Sequence, residues 1–371
     1  MTSVTADKPE PATDPVRLYA PAAARAHLRE AGINPESLPH RINMDVLIMD
    51  GRVLQDEYSV RENILFGSRV LPLTTIDEYH NSATSFTGDT APVNNQDQTY
   101  TLMLYQAHTS ASPVAHAMPR DDDPSRHVCV IMLPTEEMTA RYTVNLLSGV
   151  PEEQLPDNLP GTDQDWARFI LAHEMDHCVN REGTTFQREV SADRAGLDDL
   201  RRHFNETQRP EMYDAMSKTI TQARSITIFS KMDFDHATGI YLENDHDHDH
   251  PHAGQHDHIP PNISSDARSI AEKVVRNYAE HSGQSYKESI THMDETPGLF
   301  FNVLKQMNHQ GAFEAEPMQQ KLIDQYLDAT EEFSPNYHND LQKAAVHVPA
   351  TMHENTEIAS QKPVITPGFG S

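Results

Sequence analysis

The chain has 371 residues, with 56 acidic against 29 basic side chains, a formal net charge of −27, and only 37% hydrophobic and 7% aromatic residues. So strong a negative balance argues against nucleic acid and anionic membrane surfaces as partners, since both would be repelled. The length allows more than one domain and a sizeable core, while the low apolar fraction implies that part of the chain does not fold.

Residues 1 to about 15 are polar and contain proline, which reads as a disordered leader; a short helix over Ala22–Ala31 then stops at Gly32, and the whole leader runs to residue 40. No apolar signal-peptide core is present, and the longest uninterrupted apolar run, Val128–Leu133, is far too short to span a bilayer. Neither a Sec signal nor a membrane span is therefore expected, and a cytoplasmic location is the default, with export by another route left open. Cys129 and Cys178 are too few for a disulfide framework, in keeping with a reducing compartment.

Folding is expected to begin near Ile42. Met44–Met49, the Asp50-Gly51 turn signal and Arg52–Leu54 predict a β-hairpin. Tyr100–Tyr105 alternates as a strand, Val128–Leu133 reads as a buried one, and the polar stretch Asn81–Gln98 between them as loop. Thr135–Leu147 predicts an amphipathic helix with Met138, Tyr142 and Leu146 on one side, stopped by Ser148-Gly149 and followed by a Pro-rich loop to Gly161.

The next helix has its own start signal, Thr162 with Asp165, after which Trp166, Phe169, Ile170, His173 and His177 recur at helical spacing. Within it, His173-Glu174-Met175-Asp176-His177 is an H-E-x-x-H pattern. Imidazoles four residues apart share one helical face and can bind Zn²⁺ from two sides, with Glu174 beside the metal as a proton acceptor. With 22 histidines in the chain, that pattern alone is weak. A second signal follows in Glu189-Val190-Ser191-Ala192-Asp193-Arg194-Ala195-Gly196, on a further helix that starts at a Thr184/Gln187 cap and is expected to run to about His203. Gly183 lies midway between the two motifs. An antiparallel helix pair turning there sets 177 opposite 189 and 173 opposite 193, one carboxylate level with each histidine.

Residues 171–196 resemble the gluzincins, zinc peptidases in which H-E-x-x-H supplies two ligands and a downstream E-x-x-x-D helix supplies the third. The resemblance implies that His173, His177 and Glu189 hold zinc, that Glu174 is the general base, and that Asp193 orients a ligand imidazole from behind. The linker between the motifs is shorter here than in well-known members. Zincin-type peptidases set a small sheet beside the active helix, with an edge strand receiving the substrate backbone, a role for which Val128–Leu133 is the candidate. Gluzincins also often use a downstream His or Tyr to stabilise the oxyanion, and His236 and Tyr241 are candidates.

Pro210 fits the first turn of a further helix with Met212, Met216, Ile220 and Ala223 on its apolar face. Asp245–His258, at the head of a linker over 245–264, alternates His and Asp, cannot form a core, and reads either as a weak metal-scavenging loop or as a plain linker. Helices over Asp266–His281, Leu299–Met307 and Pro317–Glu332, with Gly283 and Gly311 as stops, predict a small helical domain over 265–333. Residues 334–371 read as a disordered tail.

The expected fold is therefore α+β, a zincin-like domain over 41–244 with a small mixed sheet and an active-site helix pair, followed by the helical region. The expected function is zinc-dependent hydrolysis of a peptide or protein substrate. Two alternatives compete with it. A non-catalytic zinc-binding or regulatory protein would use the same residues as a brace. Peptide deformylase also has His-Glu-x-Asp-His, with a cysteine as third ligand; Cys129 lies upstream in the right order, but the Gly-rich and Glu-Gly-Cys motifs of that family are absent.

Overall fold

The computed structural model describes residues 16–20, 22–52, 113–119, 126–134, 137–242, 263–313, 316–350 and 352. The leader over 1–15, the strand expected at 100–105, the loop at 81–98 and the His/Asp tract at 245–258 lie outside the described residues. The chain divides into two compact units, one of residues 1–137 with 174–179, the other of 138–173 with 180–371.

The first unit is built on a mixed four-stranded sheet in the order β1-β2-β4-β3, formed by β1 (Leu18–Tyr19), β2 (Asp45–Asp50), β3 (Val114–Pro119) and β4 (His127–Leu133). β1, β2 and β4 run parallel, and β3 pairs antiparallel with β4. Parallel strands need covering on both faces, which is why β4 is a continuous apolar run with Val128 to Leu133 all buried. Helices α1 (Ala22–Glu30) and α2 (Leu38–Ile42) lie between β1 and β2 in the chain.

β2 begins and ends on a buried aspartate, and each is paired with cations rather than left bare. Asp45 accepts the Arg17 backbone N–H at 2.8 Å and lies 3.5 Å and 3.7 Å from the Arg17 and Arg126 guanidinium groups. Asp50 lies 3.2 Å from His27 Nδ1 and accepts the Arg52 backbone N–H at 3.0 Å. Burial would raise the Asp50 carboxyl, but His27 and Arg52 hold it below its ordinary value.

Two sequence expectations are corrected here. The hairpin at Asp50-Gly51 does not form: β2 has parallel neighbours on both sides, so an antiparallel return has no free edge, and Gly51-Arg52 is helical. β4 is not an edge strand either. It is internal, between β2 and β3, and among the described residues β3 ends the sheet on that side.

The second unit is helical: α3 (Ala140–Ser148), α4 (Asp163–Val179), α5 (Thr185–Glu206), α6 (Pro210–Ser230), α7 (Gly239–Leu242), α8 (Ile263–Ser282), α9 (Tyr286–Glu295), α10 (Leu299–His309), α11 (Pro317–Phe333) and α12 (Pro335–Gln342). Helix α4 is continuous, and its last turns, from Glu174, count with the first unit. One apolar core joins Val144, Trp166, Phe169, Phe186 and Phe204 to Ile270, Phe301, Tyr326 and Met352, so the expected boundary at 264 does not separate two cores.

Start and stop signals explain several helix ends. Thr184 and Gln187 form a reciprocal capping box, Thr162 and Asp165 a similar one, and Gly149 closes α3 in the left-handed region at φ +74°. The expected start of α3 at Thr135 is too early, because Thr139 caps it by accepting the Tyr142 N–H. The expected tail from 334 is also corrected: Ser334 caps α12, Pro335 occupies its first turn, and a 3₁₀ turn follows over Lys343–His347. Helix α9 was missed, although Ser285 and Glu288 form a capping box. No described helix is long and apolar enough to cross a membrane.

Within the first unit, Cys129 of β4 and Cys178 near the end of α4 are joined by a disulfide across a sequence separation of 49. Spacing alone could not reveal this pairing, and two cysteines, too few for a disulfide framework, nevertheless form one bridge. Closing a loop of that length should stabilise the fold by about 4 kcal/mol through the unfolded chain. Denaturant titration with and without a dithiol reductant checks this: the midpoint is expected to drop on reduction, and an unchanged midpoint would mean that the bridge contributes nothing.

Candidate metal centre

The site begins with the turn between α4 and α5. Gly183, at φ +93°, takes a backbone conformation that a side chain would strain, and Asn180 Nδ2 donates to Ser191 Oγ at 2.8 Å across the turn. The two helices then approach closely at Gly196. A Cβ there would lie 2.6 Å from the Phe169 ring and 3.0 Å from its carbonyl oxygen, so only glycine lets the α5 backbone come so near α4. This is the physical reason for the glycine that ends the second motif.

That approach sets His173 against α5. Its Nδ1 lies 2.9 Å from Asp193 Oδ1 and its Nε2 3.3 Å from Glu189 Oε2. One helical turn further, His177 completes a group in which one ligand atom each from His173, His177 and Glu189 lies within 4.8 Å of the others. Position 173 meets 193 as expected, whereas Glu189, expected level with 177, meets His173 Nε2 and shares the ligand group with both histidines. His173 and Glu189 are buried and His177 is half-buried.

Asp193 is fully buried and receives three donors: His173 Nδ1, Arg224 Nη2 at 2.8 Å and the Thr238 hydroxyl. Burial would raise its carboxyl, but Arg224 and His173 hold it well below the usual carboxylate range. Burial would lower His173, yet Asp193 and Glu189 outweigh that and carry it up to about 10.

His236 also reaches the group. Its Nε2 lies 3.2 Å from Glu189 Oε2 and its Nδ1 2.9 Å from Asp233 Oδ1. Burial lowers it, but Asp233 and Glu189 raise it to about 9. Tyr241 is not brought to these atoms by any such contact: its ring packs against Phe186 at 5.9 Å, and burial raises its phenol. Glu174 is turned to the sheet of its own unit, where its Oε2 accepts the Ala115 N–H of β3 at 3.1 Å.

Two imidazole nitrogens and a carboxylate oxygen are donors that a metal ion of borderline softness takes, and a His173 ring whose Nδ1 is engaged by Asp193 turns its Nε2 toward Glu189, a member of the same group. The donor set can therefore hold a metal ion. Cys129 does not belong to it, being bonded to Cys178. The sequence reading missed Arg224, Thr238, Asp233 and the Ala115 N–H. For Arg224 a signal existed: an arginine among Ile220, Ala223 and Ile226 on a buried helix face requires an anion.

No protein-family model, curated protein or solved structure matches the chain.

Gly196→Ala should cost about 1–3 kcal/mol by overpacking against Phe169, and should weaken zinc binding because it shifts α5 from α4. Parallel thermal unfolding and zinc titrations check this; a variant with unchanged stability and affinity would show that the close approach is unimportant.

Proposed function

We propose that the chain is a zincin-like metallopeptidase of gluzincin type, with zinc held by His173, His177 and Glu189. The observation that carries the reading is the double engagement of His173, with Nδ1 on Asp193 and Nε2 toward Glu189, one turn from His177. A bound zinc ion supplies Lewis acidity to a substrate carbonyl and makes water a better nucleophile at neutral pH.

The chain's own groups do the rest. Glu174 follows the ligand His173 in the helix without belonging to the ligand group, and the Ala115 N–H fixes one of its oxygens. From there its carboxylate takes the proton of the attacking water and returns it to the leaving amine as the C–N bond breaks. His236, held by Asp233, would donate to the oxyanion that develops on the carbonyl oxygen. An extended peptide would add to the sheet along β3, the strand that presents Ala115.

A second reading rests on the 3.2 Å approach of His236 to Glu189. If His236 were a fourth ligand, the site would be closed and structural. His236→Ala separates the two. A loss of about 10²–10³-fold in kcat with zinc content unchanged is expected of an oxyanion donor, whereas loss of the metal would favour the structural reading.

Glu174→Gln keeps size and hydrogen bonding but removes the base. Zinc binding should survive, while hydrolysis of a mixed peptide library at equal zinc occupancy should fall by roughly 10²–10⁴-fold. Equal hydrolysis by both forms would sink the mechanism. Glu189→Ala should empty the site and Cys129→Ser should leave it filled, as zinc analysis of the purified proteins would record; the reverse result would exclude Glu189 as a ligand.

A further inference from the structure

Asp193 lies behind His173, but nothing on α4 or α5 alone holds the carboxylate in the plane that His173 needs. The two groups that do so come from further along the chain. Arg224 of α6 donates its Nη2 to Asp193 Oδ1, the same oxygen that faces His173 Nδ1, at 2.8 Å. Thr238 donates its hydroxyl to the other oxygen, Oδ2. With both oxygens engaged from different directions, the carboxylate cannot rotate about its Cβ–Cγ bond without breaking a buried hydrogen bond, which costs roughly 1–3 kcal/mol.

Both donors are themselves placed by packing. Arg224 is 4% exposed and follows Ala223 on the buried face of α6, next to Ile220 and Ile226. Thr238 is fully buried, its backbone carbonyl accepts the Tyr241 N–H at 2.8 Å at the start of α7, and it precedes Gly239. A Cβ on Gly239 would lie 2.6 Å from the Thr221 carbonyl oxygen of α6, so this glycine lets the α7 start sit directly on α6. Arg224 and Thr238 therefore reach Asp193 as one fixed pair.

We infer that Arg224 and Thr238 are positioning residues of the metal centre: through Asp193 they fix the ring plane of His173 and commit its Nε2 to the cation. The inference rests on the zinc-site reading above and adds α6 and the start of α7 to the segments that hold His173. Thr238 acts on the metal centre through Asp193, and Arg224 does so too, besides standing close enough to Glu189 for their charges to interact.

The test uses the full chain and cobalt(II) as probe, reading the visible absorption band that His173→Ala abolishes, so that cobalt bound elsewhere is not counted. Thr238→Val, which removes only the hydroxyl, should weaken cobalt affinity about 10-fold, at the lower end of the loss usual for partners of a metal-bound histidine; Thr238→Ser should restore it. Arg224→Gln should weaken it at least as much, and combining Thr238→Val with Asp193→Asn should add little, because both act through one carboxylate. In the metal-free protein, the His173 Nδ1 proton should exchange slowly with solvent in the wild type and faster in Thr238→Val, a readout that a merely structural role would not move. Where Arg224→Gln fails to fold, Thr238→Val carries the test alone. Wild-type affinity and exchange in Thr238→Val, with Asp193→Asn still impaired, would overturn the inference while leaving the zinc site intact. A wild-type chain without the cobalt band would overturn the zinc reading and this inference together.

Discussion

A single buried carboxylate, Asp193, imposes the arrangement of the helical unit. Removing an ionised carboxylate from water costs several kcal/mol unless it is paired and hydrogen-bonded. The chain meets that requirement with Arg224 from α6, His173 from α4 and Thr238 from the start of α7. Any packing that kept Asp193 inside but moved one of these segments would leave a charge or a donor unsatisfied. The two close approaches that allow the convergence, at Gly196 and Gly239, both occur where a Cβ would collide with the neighbouring helix. Polar satisfaction and apolar packing thus select the same arrangement, the consistency expected of a foldable sequence.

The second constraint is local to the sheet. Glu174 is held by a backbone N–H of β3, and Cys178, four residues on, is bonded to β4. The stretch Glu174–Val179 is therefore fastened at two points to the sheet of its own unit, and the side chain proposed as the base has little freedom to turn away. His177 lies between those two points in the chain.

The helix pair and its register were legible because each depends on short-range signals: capping boxes at Thr162 and Thr184, a turn glycine at 183, and histidines and carboxylates at helical spacing. What depends on distant partners was not. The parallel neighbours of β2, the internal place of β4 and the Cys129–Cys178 bridge are set by pairings across tens of residues, which periodicity does not encode. The turn signal Asp50-Gly51 misled because Asp50 serves instead as a buried partner for His27 and Arg52. Residues 334–350 read as polar and aperiodic, yet Ser334, Pro335 and the burial of Leu341 and Ala344 fold them onto the helical unit. Arg224 was legible in principle, since a cation on an apolar helix face demands an anion, but its partner could be named only in three dimensions.

The account stands on the claim that α4 and α5 together form a zinc-binding group. Anomalous diffraction at the zinc edge, from crystals of the full chain grown with one equivalent of zinc, tests it most directly. A single peak within about 2.0–2.2 Å of one nitrogen each from His173 and His177 and an oxygen of Glu189 is the predicted result. Density only at other residues, with none within reach of that group, would contradict it.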